Sequence, residues 1–330
     1  MVVTRSKCGD DDDDDFEVPP MAIQKKKVLK IKSKSSKEVQ SNASDDEGCN
    51  EDNPMPLTTK PSKLNIVHGV RGIENYVKQY RSNVVSLINL MQDTRFTERH
   101  ITPLERTPFG MLFKSFWKKE DVVLKKFKKV DDNVMDVIKF YDFYAKGFKL
   151  GGKTCDILDS DVTLIFGIKS GTKKVGVSYG KKQESPFVQR RFRNMSRMSM
   201  KSLRETLGDA LESTTTVDFE DVARIMCLFV VATLLLPTSG LTVGWAFVTL
   251  VEDLKMMNSY SWSTAVVSTL TTLIHSSLGS PENVTGCILL LLYRLCEHTT
   301  LIQPQGKNLY PRLLQWDLST LRKKLMKRSL

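Results

Sequence analysis

The sequence predicts a mainly α-helical bundle domain with one small β-hairpin, preceded by a disordered N-terminal tail. Three observations carry that expectation. Apolar residues recur at a helical period through most of residues 65–316. One stretch, Phe148 to Ile157, changes to alternation around Gly151-Gly152. Residues 1–64 have too little apolar surface to offset the entropy of ordering them.

The tail joins six aspartates, Asp10 to Asp15, to a lysine cluster, an acidic SNASDDEGCNEDNP segment and Pro54, Pro56 and Pro61. It holds 11 of the 49 Lys/Arg and 13 of the 38 Asp/Glu. That leaves 38 basic against 25 acidic groups for residues 65–330, so the part expected to fold is the basic part. Such a surplus favours nucleic acid or acidic partners.

From Ile66 onward helices are expected in order. Ile73, Val77, Tyr80, Val84, Leu87, Ile88 and Met91 share one helical face. Pro103 and Pro108 punctuate the next segment, and Val134, Val137, Ile138 and Tyr141 mark a further helix. The hairpin comes next, then a short helix capped by Asp159, carrying Val162, Leu164 and Ile165 and ended by Gly167. Residues 169–200 are basic and rich in Gly and Ser, which predicts a loop or mobile insertion. Ser202 and Glu205 have capping-box spacing ahead of Leu207 and Leu211. Asp218 is placed to cap a helix running to Leu236 and stopped by Pro237. More helices are expected at about residues 243–257, 261–278 and 281–298, the last with Ser280 as cap and Pro281 in its first turn. Residues 317–330 form a basic C-terminal tail.

Several classes are set aside. The N-terminus MVVTRSKCGDDDDDD has no apolar run and does not read as a secretory signal. The six cysteines are therefore expected as thiols, and they form no CxxC or Cys/His metal-binding spacing, so no metal site or cofactor is expected. Ile225 to Leu236 is twelve residues long, short of the roughly 20 a membrane span needs, so a buried helix and no membrane are expected.

Four patterns touch on chemistry. Gly147 to Thr154 satisfies GxxxxGK[ST], but a phosphate-binding loop needs a strand before it and a helix beginning at Gly-Lys-Thr. Here a helical pattern precedes and an alternating one comes after, which predicts a hairpin turn. Lys25, Lys26, Lys27, Lys30, Lys32 and Lys34 suit a nuclear-import receptor. Lysines interleaved with Phe116, Trp117 and Phe127 read better as an amphipathic segment with its rings inward than as a base-stacking surface. Arg190, Arg191, Arg193, Arg197, Lys201 and Arg204 are the better nucleic-acid candidates. His275, His298, Cys287 and Cys296 lie in apolar helical contexts and read as structural. No catalytic residue and no small-molecule substrate is expected.

A set of motifs points further. FKLGGKT, DSDVTLIFGI and GTKKV are followed by LLLPTSG, EDLKMM, SYSW, GCILLLLYRLCEH and YPRLLQW. In this order, across residues 109–316, they resemble the plant mobile domain (the aminotransferase-like plant mobile domain). They also resemble the related transposon-borne domain of unknown function found upstream of plant SUMO-type proteases. Residues 1–100 and 176–200 depart from that pattern. The resemblance implies a non-enzymatic nuclear module of transposon origin, linked to genome maintenance or silencing, with a nuclear protein or nucleic acid as partner. Its alternative is the N-terminal fragment of a transposon-encoded SUMO-type cysteine protease whose catalytic domain is missing.

Overall fold

In the computed structural model, the described residues are 80–326 except 118–122, 151, 177–179, 239, 241, 278–279 and 307. The fold is mainly helical, with one three-stranded and one two-stranded antiparallel sheet among those residues.

The first helix is shorter than its apolar face suggests. α1 spans Val84–Asp93 because the Asn83 carboxamide oxygen accepts the Val85 and Ser86 N–H groups at 2.9 and 3.4 Å. Tyr80 thus precedes the helix, while Ile73 and Val77 lie outside the described residues. Tyr80 is buried all the same, its hydroxyl donating to the Pro281 carbonyl at 3.0 Å. α2 (Glu98–Glu105), α3 (Gly110–Phe116) and α4 (Asp131–Ile138) come next. Asp131 and Asp132 in the first turn of α4 complement its N-terminal partial charge.

Tyr141 leaves the helical pattern and enters β1 (Tyr141–Asp142). β1 pairs with β2 (Gly147–Leu150), which pairs with β3 (Lys153–Cys155), in the order β1-β2-β3. The expected hairpin is therefore present and gains a third strand. Opposed Tyr141 and Phe148 are buried with rings 5.3 Å apart. α5 (Asp159–Phe166) is capped by Asp161 rather than Asp159: the Asp161 carboxylate accepts the Leu158 N–H at 3.0 Å. Gly167 ends it with φ +67°, and a Cβ there would lie 2.6 Å from Pro311.

The described residues of 169–185 lie outside the helices and strands, as their composition predicts, whereas 186–200 holds a helix and a strand. Gly171 and Lys173 donate to the Tyr260 and Ser259 carbonyls at 2.7 and 2.8 Å, so the GTKKV and SYSW segments meet. α6 (Pro186–Arg191) starts at the Ser185 cap and buries Phe187 and Val188. β4 (Met198–Ser199) leads into α7 (Met200–Leu211), whose cap is Ser199, three residues before the expected Ser202. Gly and Ser here serve turns and caps; Phe187, Phe192 and Met198 supply the buried contacts.

α8 (Thr216–Val230) is capped by Thr215, with Asp218 as its third residue. It packs on α2, on α7 and on α9 (Trp245–Val251), and all seven residues from Ile225 to Val231 are buried. Each such aliphatic or aromatic side chain contributes about 1.5–3 kcal/mol. Val231–Leu235 widens into a π-turn, in which the Leu236 N–H reaches the Val231 carbonyl at 2.8 Å. The Asn83 N–H and Ser82 hydroxyl cover the Thr233 and Leu234 carbonyls at 2.8 and 3.0 Å. β5 (Thr242–Val243) pairs with β4. α10 (Trp262–Ser276) buries Trp262 against Phe109 at 5.1 Å. The expected helix at 281–298 divides: Pro281–Asn283 is a single 3-10 turn, Gly286 adopts φ +86°, and α11 covers Leu289–His298. α12 (Leu318–Met326) buries Leu318 and Leu321 beneath its basic face.

Candidate nucleic-acid interface

The six basic residues singled out at 190–204 divide into two groups. Phe187 and Val188 anchor α6 in the core, and the end of α6 carries Arg190 and Arg191 to Asp218 and Asp221 of α8. The Asp221 side chain is wholly buried. Arg190 donates to both its oxygens, Nε to Oδ2 and Nη2 to Oδ1, each at 2.9 Å. Arg191 Nε adds a bond to Oδ2 and Arg224 Nη1 one to Oδ1, also at 2.9 Å. Arg191 Nη2 reaches Asp218, which also accepts the Ser213 and Thr215 hydroxyls. Those two hydroxyls, more than Arg191, hold the Asp218 carboxyl below its ordinary range, and Asp221 holds the Arg190 guanidinium above its own. Arg224 further donates to the Glu252 carbonyl at 2.7 Å and lies 5.6 Å from the Phe187 ring. Three guanidiniums on one buried carboxylate form a lock between α6 and α8.

Arg193, Arg197, Lys201 and Arg204 are exposed. The Arg193 carbonyl accepts from Lys182, whose ammonium lies 5.4 Å from the Trp245 ring. Lys201 approaches Glu205 at 3.8 Å with both side chains mostly in water, a pairing worth little. The Arg204 guanidinium lies 5.6 Å from the Phe229 ring. Lys25, Lys26, Lys27, Lys30, Lys32 and Lys34 lie outside the described residues.

The other patterns resolve by geometry. Gly147 to Thr154 spans β2, its turn and β3, so no helix begins at Gly152-Lys153-Thr154 to present its N–H groups to a phosphate. Phe116 and Phe127 are buried edge to face at 5.7 Å, and Trp117 packs against the core. Burial pushes the Cys227, Cys287 and Cys296 thiols up to about 12, so each keeps its proton near neutrality. His275 stacks on Phe143 at 4.1 Å. Trp262 and Trp316 are core; Trp245 is half-buried, its indole N–H on the Ser196 carbonyl at 3.2 Å.

Two features escaped the sequence reading. Arg294, inside the apolar GCILLLLYRLCEH run, donates to the buried Asp161 at 2.9 Å and to the Asp156 carbonyl, with His298 at 3.4 Å from the same carboxylate. Its signal was an arginine on an otherwise buried helix, which demands an acid elsewhere. The other is a group of exposed aromatics at 140–144, masked by an apparently ordinary helical pattern.

A half-open cavity of about 330 Å³ lies beside the π-turn, lined by Tyr80, Asn83, Thr233 and Phe247, with Arg81 the one charged residue among the described lining residues. Among the described residues, no three His, Cys, Asp or Glu side chains are placed to share a metal ion. No helix there is long and apolar enough to cross a membrane.

No curated protein and no solved structure matches the chain. Residues 123–292 match the family described as a domain of unknown function, DUF8566. The matched stretch includes the three-stranded sheet and the arginine lock on Asp221. Since it covers more than half of the 330 residues, this chain belongs to the DUF8566 family.

Proposed function

We propose that this chain is a non-enzymatic nuclear interaction module of plant transposon origin that associates with nucleic acid. One observation carries the nucleic-acid part. With Arg190 and Arg191 committed to buried acids, Arg193, Arg197 and Lys201 still stand exposed around the α6–α7 connection. They sit on a domain whose sequence carries 38 basic against 25 acidic groups over residues 65–330. Exposed cations of this kind contact phosphates without reading sequence. The nuclear part rests on the Lys25 to Lys34 cluster, and the transposon origin on the ordered resemblance from FKLGGKT to YPRLLQW.

The test is binding of the full chain to a labelled duplex and a labelled single strand across a salt series. Triple substitution of Arg193, Arg197 and Lys201 by Ala is expected to weaken binding and flatten its salt dependence while leaving the melting temperature in place. Absence of binding at low salt refutes the nucleic-acid reading and leaves a protein-binding scaffold.

A further inference from the structure

We infer that the tip joining β1 and β2, with His275 of α10 beneath it, is a stacking platform for single-stranded nucleic acid. The inference rests on the nucleic-acid reading above and adds the surface and the form of the strand.

Alternation in the sheet makes the first part of the argument. Tyr141 and Phe148 point inward and are buried, which turns Phe140 and Lys149 outward; Phe140 is 52% exposed. The tip itself presents Phe143 at 45% and Tyr144 at 94% exposure. Aromatic rings left in water forgo the burial that normally fixes their position, and contiguous ones mark binding sites.

The turn and the Phe143 ring are held in place. The Asp142 carboxylate accepts the Ala145 N–H at 2.7 Å, and Lys146 closes the turn with φ +50°. The Phe143 and Tyr144 rings meet edge to face at 5.6 Å. One face of Phe143 lies on His275, at 4.1 Å and 18° from parallel. The Phe143 face is therefore positioned before a ligand arrives, which lowers the entropy cost of binding there.

Charge selects the occupant. Residues 139–156 hold four lysines against two aspartates. Asp142 is already engaged by Lys149, whereas Lys146 in the β1–β2 turn and Lys153 at the start of β3 are exposed with no acid partner among the described residues. Unpaired cations beside exposed rings match phosphates beside unstacked bases. A duplex keeps its bases stacked internally and offers the rings nothing, so the platform discriminates for single strands.

The experiment is fluorescence anisotropy of the full chain with labelled oligo-dT, oligo-U and a duplex, on wild type, Phe143→Ala/Tyr144→Ala, Lys146→Ala/Lys153→Ala and the Arg193/Arg197/Lys201 triple. The aromatic variant is expected to lose about tenfold or more in single-strand affinity with duplex binding unchanged. The lysine variant is expected to reduce the salt dependence. Ultraviolet crosslinking to oligo-U should map to Phe143 or Tyr144. Melting temperatures equal to wild type establish that the fold is retained. Unchanged single-strand binding by the aromatic variant overturns the platform but leaves the nucleic-acid reading standing. Loss of duplex and single-strand binding in the triple variant with no effect at the tip assigns the contact to the α6–α7 face instead. Failure of wild type to bind any oligonucleotide removes both.

Discussion

Asp221→Asn is the substitution that most directly tests the arginine lock. The wild-type carboxylate is wholly buried and takes two bonds from Arg190 and one each from Arg191 and Arg224. The amide keeps the shape, removes the charge and leaves one acceptor oxygen. Arg190 is 37% exposed and can recover water. Arg191 and Arg224, at 10% and 13%, cannot, although each keeps another acidic contact in Asp218 and Glu220. Removing one partner of a buried ion pair costs about 3–5 kcal/mol. For a domain of this size each kcal/mol moves the melting temperature by about 2–4 °C, so a fall on the order of 10 °C is expected. Differential scanning calorimetry, with the exposed Asp209→Asn as control, measures it. A change in Asp221→Asn no larger than that of the control refutes the lock. Arg190 and Arg191 would then be free for phosphate contact after all. Confirmation means that changing Arg190 or Arg191 weakens any nucleic-acid binding by unfolding the face rather than by removing a contact.

Three further outcomes are expected. Gly167→Ala destabilises by about 1–3 kcal/mol in urea titration, because its φ of +67° disfavours a side chain and the new methyl meets Pro311; unchanged stability contradicts the close approach. Burial holds His100 below its ordinary 6.5, so in that window the unfolded chain takes a proton that the folded chain refuses. Stability therefore falls as pH drops from about 7 to about 5, and His100→Gln, which keeps the contact to the Thr97 N–H, should soften that fall in melting scans. Native Cys227, Cys287 and Cys296 should resist thiol labelling and react fully in guanidinium, as peptide mapping by mass spectrometry would show; rapid native labelling contradicts their burial.

Much of the fold was legible because local chemistry dictates it. Gly151-Gly152 between alternating runs produced the hairpin, Gly167 the stop after α5, and the apolar run from Ile225 the central helix. Caps were misplaced by a few residues where two candidates competed: Ser199 displaced Ser202, Thr215 displaced Asp218, and Asp161 displaced Asp159 as the capping carboxylate. Spacing alone cannot say which hydroxyl or carboxylate reaches the free N–H groups.

The candidate site was the less legible part. Six basic residues in one stretch look alike in sequence, yet the fold turns Arg190 and Arg191 toward carboxylates about thirty positions away and leaves Arg193 and Arg197 in water. Likewise Tyr141 and Phe143 are two residues apart in one aromatic run, but strand pairing buries the first and the turn exposes the second. The helical class, the hairpin and the charge surplus were readable from residue order, since they depend on periodicity, glycine placement and composition. Which cations neutralise buried acids, and which rings face solvent, emerged with the packed fold, because those fates depend on groups brought together from distant parts of the chain.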